Sequence, residues 1–308
     1  MMAWPSTPAC PVGPPRARVR LHVRLVLTAA LLVLGAVVTR AGRQPSDLQP
    51  AEQSSATTPA PPVLAREEQE RFLREARIVR SRSAPKGITG SRRVTLSDGV
   101  ITHDAHVQTV DDSRREFMGA RGTELNFRDS WRFNIAAYRL SVLLGLDMVP
   151  VSVERRYQQQ PAAFTWWVDD VLMDEGTRLK RKVRVPDPLT WNRQMYVVRV
   201  FDQLIYNTDR NVGNLLITSD WRVWMIDHTR AFRRHTTLRS SGDLKGCDRR
   251  LLARLETLER RALERELSRW LELGELDALL ARRDAIVAFF KSAPPQALYE
   301  LAHGIVPP

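Results

Sequence analysis

The feature that most constrains the fold of this chain is a polar loop followed by a predicted β-hairpin. Asp209 and Asn214 lie in the loop, and Asp227 comes directly after the apolar stretch 223–226. A short polar turn separates that stretch from the apolar residues 215–217, which predicts a hairpin. Such a hairpin brings Asn214 and Asp227, thirteen positions apart, to the same end. One amide oxygen and one carboxylate oxygen are ligands that Mg²⁺ takes together with phosphates and water.

The alternative interpretation is a structural hairpin whose aspartates are buried and hydrogen-bonded. Asp and Asn do favour turns, so their presence in the loop is compatible with this alternative. Asp227, however, follows an apolar strand, where an unpaired carboxylate would be costly. We therefore favour a magnesium- and phosphate-binding site.

Upstream of the motif, the apolar pattern predicts a sheet interrupted by one helix. The helix is predicted over 130–144, where apolar residues recur at helical spacing and Gly145 marks the end. Residues 111–129 are polar and are predicted to form a loop. Strands are predicted over 78–80, 93–96, 100–110, 148–153 and 163–168.

Downstream of residue 170, the pattern becomes mainly helical. One helix is predicted over 188–205, and residues 249–291 are helical with leucines facing a core. Gly274 is predicted to divide this last region into two helices. A β-rich half followed by a helical half indicates an α+β fold.

The motif resembles those of the atypical kinases. Residues 209–214 read Asp-Arg-Asn-Val-Gly-Asn and residues 226–227 read Ile-Asp, similar to the Asp-Arg-x-x-x-Asn and Ile-Asp-Phe-Gly motifs of phosphoinositide 3- and 4-kinases. The segment 134–140 is similar to a helix of the secretory-pathway group of Golgi casein kinase and four-jointed kinases. The region also resembles the HipA toxin kinases. The resemblance implies a two-lobed protein-kinase-like fold, with a β-rich small lobe at 66–170 and a helical large lobe at 171–308.

The resemblance also implies a role for each residue of the motif. Asp209 would orient or deprotonate the acceptor hydroxyl, and Arg210 would neutralise developing charge. Asn214 and Asp227 would hold the Mg²⁺ of bound ATP. In the small lobe, Gly87 and Gly90 would cover the ATP phosphates. The backbone of Val168 would contact the adenine.

Two positions depart from these kinases. Aligned with the Ala-x-Phe-Lys strand of the family, residues 105–108 place Gln108 where the phosphate-binding Lys would be. Asn134 replaces the Glu of the helix. We expect Gln108 and Asn134 to pair as amides beside the nucleotide, in place of an ion pair. The missing positive charge would then come from one of three other residues, His106, Lys86 or Arg92.

Three functions fit these features. The first is a kinase-like phosphotransferase that uses Mg-ATP and a protein or small-molecule hydroxyl acceptor. The second is a pseudokinase that binds a nucleotide or a partner without transfer, and the third is a lipid kinase similar to the phosphoinositide kinases. The net charge of +12 suits phosphate-bearing ligands, nucleic acid or anionic lipid, but Arg-rich codon usage explains it equally well. We do not expect a nucleic-acid partner. The two cysteines provide neither a disulfide framework nor a CxxC metal site.

The N-terminal region predicts export or anchoring. Four arginines precede an apolar run from 25 to 39, typical of a signal peptide or an uncleaved membrane anchor within residues 1–42. Residues 43–65 are rich in Pro, Ser, Thr and Gln and are predicted to be a disordered linker. A mis-set start codon would instead leave a cytoplasmic protein. Export from a bacterium would leave the domain with little ATP, whereas a secretory-pathway lumen contains it.

Overall fold

The structure is a computed structural model that describes residues 64–83, 91–119, 122–302 and 304–305. The predicted signal or anchor at 1–42 and nearly all of the predicted linker at 43–65 lie outside the described residues. The same holds for Lys86, Gly87 and Gly90. Within the described ranges, no helix has the length and apolar character needed to cross a membrane.

The described part of the chain contains twelve strands and seven α-helices. In chain order, the strands are β1 (Arg77–Ser83), β2 (Arg92–Ser97), β3 (Thr102–Gln108), β4 (Asp111–Gly119), β5 (Gly122–Ser130), β6 (Ser152–Tyr157), β7 (Gln160–Trp166), β8 (Val171–Asp174), β9 (Leu215–Thr218), β10 (Val223–Met225), β11 (Cys247–Asp248) and β12 (Leu298–Tyr299). The helices are α1 (Arg66–Glu75), α2 (Arg132–Leu143), α3 (Glu175–Arg181), α4 (Pro188–Leu204), α5 (Arg249–Glu256), α6 (Arg260–Leu267) and α7 (Leu273–Ser292).

A five-stranded antiparallel sheet with the order β1-β2-β3-β7-β6 forms the small lobe together with α1 and α2. Phe72 of α1 packs edge-on against Trp166, with the ring centroids 5.8 Å apart, so α1 covers one face of this sheet. Ala163 points to the opposite face and packs with Ile135 of α2. Because directly paired residues share a face, Gln108, the partner of Ala163 in the register, lies on the α2 face.

The large lobe begins with the three-stranded sheet β10-β9-β8 and continues into helices α4 to α7. Strands β9 and β10 form the predicted hairpin. Residues 249–291, predicted to form two helices, form the three helices α5, α6 and α7. Gly274 lies in the first turn of α7 and does not separate two helices. The amide of Glu272 is capped by the Glu275 carboxylate at 2.8 Å, so the helix begins just before the glycine.

Residues 111–129, predicted as a loop, form the antiparallel hairpin of β4 and β5. The loop prediction was wrong because both faces of this hairpin are largely exposed, so no alternation of apolar and polar residues marks it. Among the described residues of the hairpin, Phe127 alone is apolar and buried. The hairpin is held by ion pairs to distant parts of the chain, including those of Arg128 with Glu272 and Glu275.

Arg282 of α7 is fully buried and joins three separate segments of the large lobe. Its guanidinium donates to the carbonyl oxygens of Leu204 at 2.8 Å and Arg233 at 2.9 Å, and to that of His235. Burial lowers the pKa of Arg282 to about 10, so the side chain stays protonated at neutral pH. The end of α4 and the segment at 233–235 are thereby fixed to α7.

We predict that Arg282→Leu lowers the free energy of unfolding by about 3 kcal/mol or more, because buried carbonyl groups lose their donors. Chemical denaturation of the purified chain measures this change. The control is Arg261→Leu, at an exposed position of α6, which should stay within about 0.5 kcal/mol of wild type. Equal losses in the two variants would contradict the structural role of Arg282.

Candidate active site

The loop that carries Asp209 is held in place by Arg210. The guanidinium donates to both carboxylate oxygens of Asp202 in α4, at 2.9 and 3.1 Å. It also donates to the carbonyl oxygens of Asn214 at 3.1 Å and Ile226 at 2.7 Å. Arg210 and Asp202 are nearly buried, with 11% and 13% of their side chains exposed. Arg210 is therefore a brace for the two strand ends, and its donors are directed at protein acceptors rather than at a phosphate.

Asp209 and Asn214 face the open side of this loop. The Asp209 carboxylate is 46% exposed, and its backbone amide is fixed by the side chain of Asn207 at 3.0 Å. The Asn214 side-chain amide donates to the Asp209 carbonyl at 3.4 Å. That bond uses the nitrogen end of the Asn214 amide, which leaves its oxygen available to a ligand.

Asp227 lies beside Asn214, because the amide of the preceding residue, Ile226, donates to the Asn214 carbonyl at 3.1 Å. Asp227 has a left-handed backbone with φ of 57°, a conformation that Asp tolerates better than most residues. Protein atoms crowd its carboxylate, yet the residue keeps solvent-exposed surface. Burial and the negative charge of Asp209 raise the pKa of Asp227, partly offset by the Thr229 hydroxyl and Arg210.

The small-lobe residues are arranged differently from the expectation. The Asn134 side-chain oxygen accepts a hydrogen bond from the backbone amide of His228 at 2.8 Å, so Asn134 fixes the segment after Asp227. Among the described residues, no hydrogen bond joins Asn134 to Gln108, and the expected amide pair is not formed. The side-chain oxygen of Gln108 is buried without a partner there. Gln108 is 5% exposed, so neither solvent nor a described donor satisfies this oxygen.

None of the three expected sources of positive charge is placed by the structure at the phosphates. Burial lowers the pKa of His106 to about 4, so this side chain is neutral at physiological pH. Arg92 pairs with Val107 in the register and lies on the α1 face of the sheet, away from Gln108. Lys86 lies outside the described residues.

Val168 lies in the connection between the two lobes and is buried. Its backbone amide and carbonyl make no hydrogen bond to the described part of the chain. Neither group is therefore committed to a partner among the described residues. The predicted contact stays a prediction.

Two site residues were missed at the sequence level, Asp129 and Arg230. Asp129 lies near the end of β5 and close to Thr229, whose hydroxyl donates to the Asp227 carboxylate at 3.2 Å. Burial and then the charge of Asp227 raise the pKa of Asp129. Arg230 places a guanidinium nitrogen 3.8 Å from the Asp209 carboxylate. The only sequence signal for Arg230 is its position three residues after Asp227.

The oxygen-bearing side chains fit a magnesium nucleotide. Asn214 supplies a neutral oxygen and Asp227 a charged one, which is a donor set that suits Mg²⁺ when phosphates complete the coordination. Across the described ranges, no group of three or more His, Cys, Asp or Glu side chains is arranged as a metal site. The raised pKa of Asp227 has the sign expected of a carboxylate that a cation would stabilise.

The fold is similar to that of solved kinases. Hydra Fam20, solved with a sugar, superposes with a TM-score of 0.57 and is 16% identical, covering 76% of this chain and 92% of its own. The Golgi casein kinase superposes with a TM-score of 0.51 and is 13% identical, covering 77% of this chain and 79% of its own. No protein-family model matches the chain, and no curated protein matches it either.

These similarities confirm the predicted fold: a two-lobed, protein-kinase-like architecture with a β-rich small lobe and a helical large lobe. At this level of identity the likeness establishes an atypical-kinase-like fold and nothing finer. Which branch of the atypical kinases the chain resembles most stays a prediction from its motifs.

We predict that Asp227→Asn makes the metal-free protein more stable at neutral pH, because it removes a carboxylate whose ionised form is disfavoured in the folded state. A raised pKa means that stability is lost as the pH rises above the ordinary value of 3.8 and through the folded pKa. In Asp227→Asn, the stability should therefore decrease less as the pH rises.

Thermal midpoints measured between pH 4 and 8, with and without Mg²⁺ and ATP, check both halves of this prediction. The ligands should raise the midpoint of the wild type and leave that of Asp227→Asn nearly unchanged. Asp284→Asn, at an exposed position of α7, is the matched control. If Mg-ATP stabilised Asp227→Asn as strongly as the wild type, the role of Asp227 as a metal ligand would be contradicted.

Proposed function

We propose that this protein is a phosphotransferase that moves the terminal phosphoryl group of Mg-ATP to a hydroxyl of a protein or small molecule. The observation that carries the proposal is the joint placement of Asp209, Asn214 and Asp227 at one end of the β9–β10 hairpin. An exposed carboxylate next to two metal-ligating oxygens meets the main requirements of phosphoryl transfer, which are positioning and charge stabilisation.

Each residue has a defined task in this proposal. The Asp209 carboxylate orients the acceptor hydroxyl and receives its proton as the new oxygen–phosphorus bond forms. The bond between the γ-phosphorus and the bridging oxygen breaks in the same process, and its electron pair stays on the departing ADP. Asn214 and Asp227 would hold Mg²⁺, which neutralises charge on the phosphate oxygens when bound. Arg210 fixes the relative positions of Asn214 and Asp227 through its hydrogen bonds to the carbonyl oxygens of Asn214 and Ile226.

A second candidate is a pseudokinase that binds a nucleotide or a partner and transfers nothing. Gln108 favours it, because a neutral amide stands where the resemblance implies a phosphate-binding Lys. The α2 face of the sheet also carries an ion pair between Arg93 and Asp104 at 2.5 Å and the half-buried, neutral His106. Because a polar wall is less suited to an adenine ring than an apolar one, these residues favour a pseudokinase that binds a partner over one that binds a nucleotide.

The acceptor and the compartment are further parts of the proposal. The similarity to the Golgi casein kinase supports a secretory-pathway location, together with the predicted signal or anchor at 1–42. Such a lumen would also supply ATP. Lipid phosphorylation is the remaining alternative, supported by the motif at 209–214 and the basic net charge.

We expect the full chain to transfer labelled phosphate from γ-labelled ATP in the presence of Mg²⁺. The acceptors offered are water, casein, a mixture of monosaccharides and vesicles containing phosphatidylinositol. Asp209→Asn should lower kcat by about 100-fold or more, because the acceptor proton loses its base. Asp227→Asn should reduce transfer to background.

Asp284→Asn serves as the control and should match the wild type. Transfer only to the lipid vesicles would select the lipid-kinase alternative. Magnesium-dependent ATP binding without transfer to any acceptor would leave the pseudokinase, and transfer at an unchanged rate by Asp209→Asn would contradict the assigned site.

A further inference from the structure

The proposed reaction needs positive charge beside the transferred phosphoryl group, and none of the expected residues that the structure describes provides it. Gln108 is neutral, His106 is deprotonated, and Arg210 is committed to Asp202 and to backbone carbonyls. The cation would then have to come from another residue that the fold places near Asp209. Arg230 meets this description.

The guanidinium of Arg230 lies beside the carboxylate of Asp209. One of its terminal nitrogens is 3.8 Å from the Asp209 carboxylate, which is close enough for attraction but longer than a hydrogen bond. Its Nε–H is buried and has no hydrogen-bond partner in the described part of the chain. The side chain is 23% exposed, so it remains accessible to solvent.

The backbone of Arg230 is fixed by the loop that precedes Asp209. The Arg230 carbonyl accepts hydrogen bonds from the hydroxyl of Thr208 at 3.0 Å and from its amide at 3.3 Å. Because Thr208 is the neighbour of Asp209, the positions of Arg230 and Asp209 are coupled through two hydrogen bonds. Movement of one residue relative to the other would break both.

The side chain of Arg230 is held by the β4–β5 hairpin, which the sequence did not reveal. One carboxylate oxygen of Glu124 in β5 accepts from Arg230 at 2.8 Å, and the other lies 2.6 Å from a guanidinium nitrogen of Arg233. The guanidinium carbon of Arg230 also lies 4.9 Å from the centre of the Phe127 ring and 5.7 Å from that of Phe117. A cation between a carboxylate and two aromatic rings keeps one orientation.

The β4–β5 hairpin is also hydrogen-bonded to residues 229–233, the segment that contains Arg230. The amide of Ser130, at its end, donates to the Thr229 carbonyl at 2.8 Å, and the Arg128 carbonyl accepts from Arg233 at 2.5 Å. Together with the Glu124 contacts, these bonds make the hairpin a support for residues 229–233. The hairpin before α2 thus reaches the large lobe at the residue that faces Asp209.

We propose that Arg230 is a catalytic cation that stabilises negative charge on the transferred phosphoryl group, and that Glu124 is its positioning residue. The proposal rests on the proposed phosphotransferase function. In this proposal Arg230, three residues after Asp227, supplies the positive charge that the neutral Gln108 does not. It also gives the β4–β5 hairpin a task, which is to hold that charge in place before the nucleotide binds.

The test compares Arg230→Met, Arg230→Lys and Glu124→Gln in the full chain, using the acceptor that gives the fastest transfer with the wild type. We expect Arg230→Met to lower kcat by about 100-fold or more, by analogy with the loss of a preorganised donor to a developing charge. Arg230→Lys should retain an intermediate rate, because it keeps the charge and loses the fork geometry. The affinity for Mg²⁺ with a non-hydrolysable ATP analogue, measured by calorimetry, should change by less than about fivefold.

Glu124→Gln should lower kcat by about tenfold, and the double variant should be no slower than Arg230→Met alone, because the two residues act as one unit. Added guanidinium should partly restore transfer by Arg230→Ala, which a purely structural role would not permit. Arg269→Met and Glu154→Gln, which break an exposed ion pair elsewhere, are the matched controls and should match the wild type.

The possible failures are distinguishable. A wild type that transfers phosphate to no acceptor removes the proposed function and this inference with it. A wild type that transfers, with Arg230→Met within about threefold of its rate, overturns the inference alone. Additive losses for Arg230→Met and Glu124→Gln, without rescue by guanidinium, would reduce both residues to general structural roles.

Discussion

The candidate site depends on one interaction, the contact of Arg210 with Asp202 and with two backbone carbonyls. Arg210 joins helix α4 to the start of β9 and to the residue before Asp227. A guanidinium suits this position because its planar fork reaches a carboxylate and carbonyls at fixed angles. The pair is nearly buried, so the loss of either partner would leave an uncompensated charge beside the site. The spacing of Asp209, Asn214 and Asp227 follows from this contact.

The large-lobe part of the site is thus assembled without help from the small lobe. The small lobe contributes in another way, through Asn134 on the segment after Asp227 and through the β4–β5 hairpin. The charge that the resemblance places on the central sheet would be moved to Arg230. Such a rearrangement would allow a kinase-like fold to keep the proposed metal ligands Asn214 and Asp227 while its sheet carries the neutral Gln108.

The sequence predicted the parts of this arrangement that are local. The hairpin of β9 and β10 needs only short-range pairing, and the fold class follows from the order of strands and helices. The contacts of Asn134 with His228 and of Glu124 with Arg230 join residues 94 and 106 positions apart. No periodicity encodes such contacts. The β4–β5 hairpin was missed for the same reason, since distant ion pairs rather than a buried face hold it in place.

The most direct test of the proposed site is an experimental structure of the full chain with Mg²⁺ and a non-hydrolysable ATP analogue. We predict a metal ion on the side-chain oxygens of Asn214 and Asp227, and a terminal phosphate between Asp209 and Arg230. The adenine should contact the backbone of Val168. A nucleotide bound elsewhere, or one bound in the cleft without a metal on Asp227, would contradict the assignment of these residues.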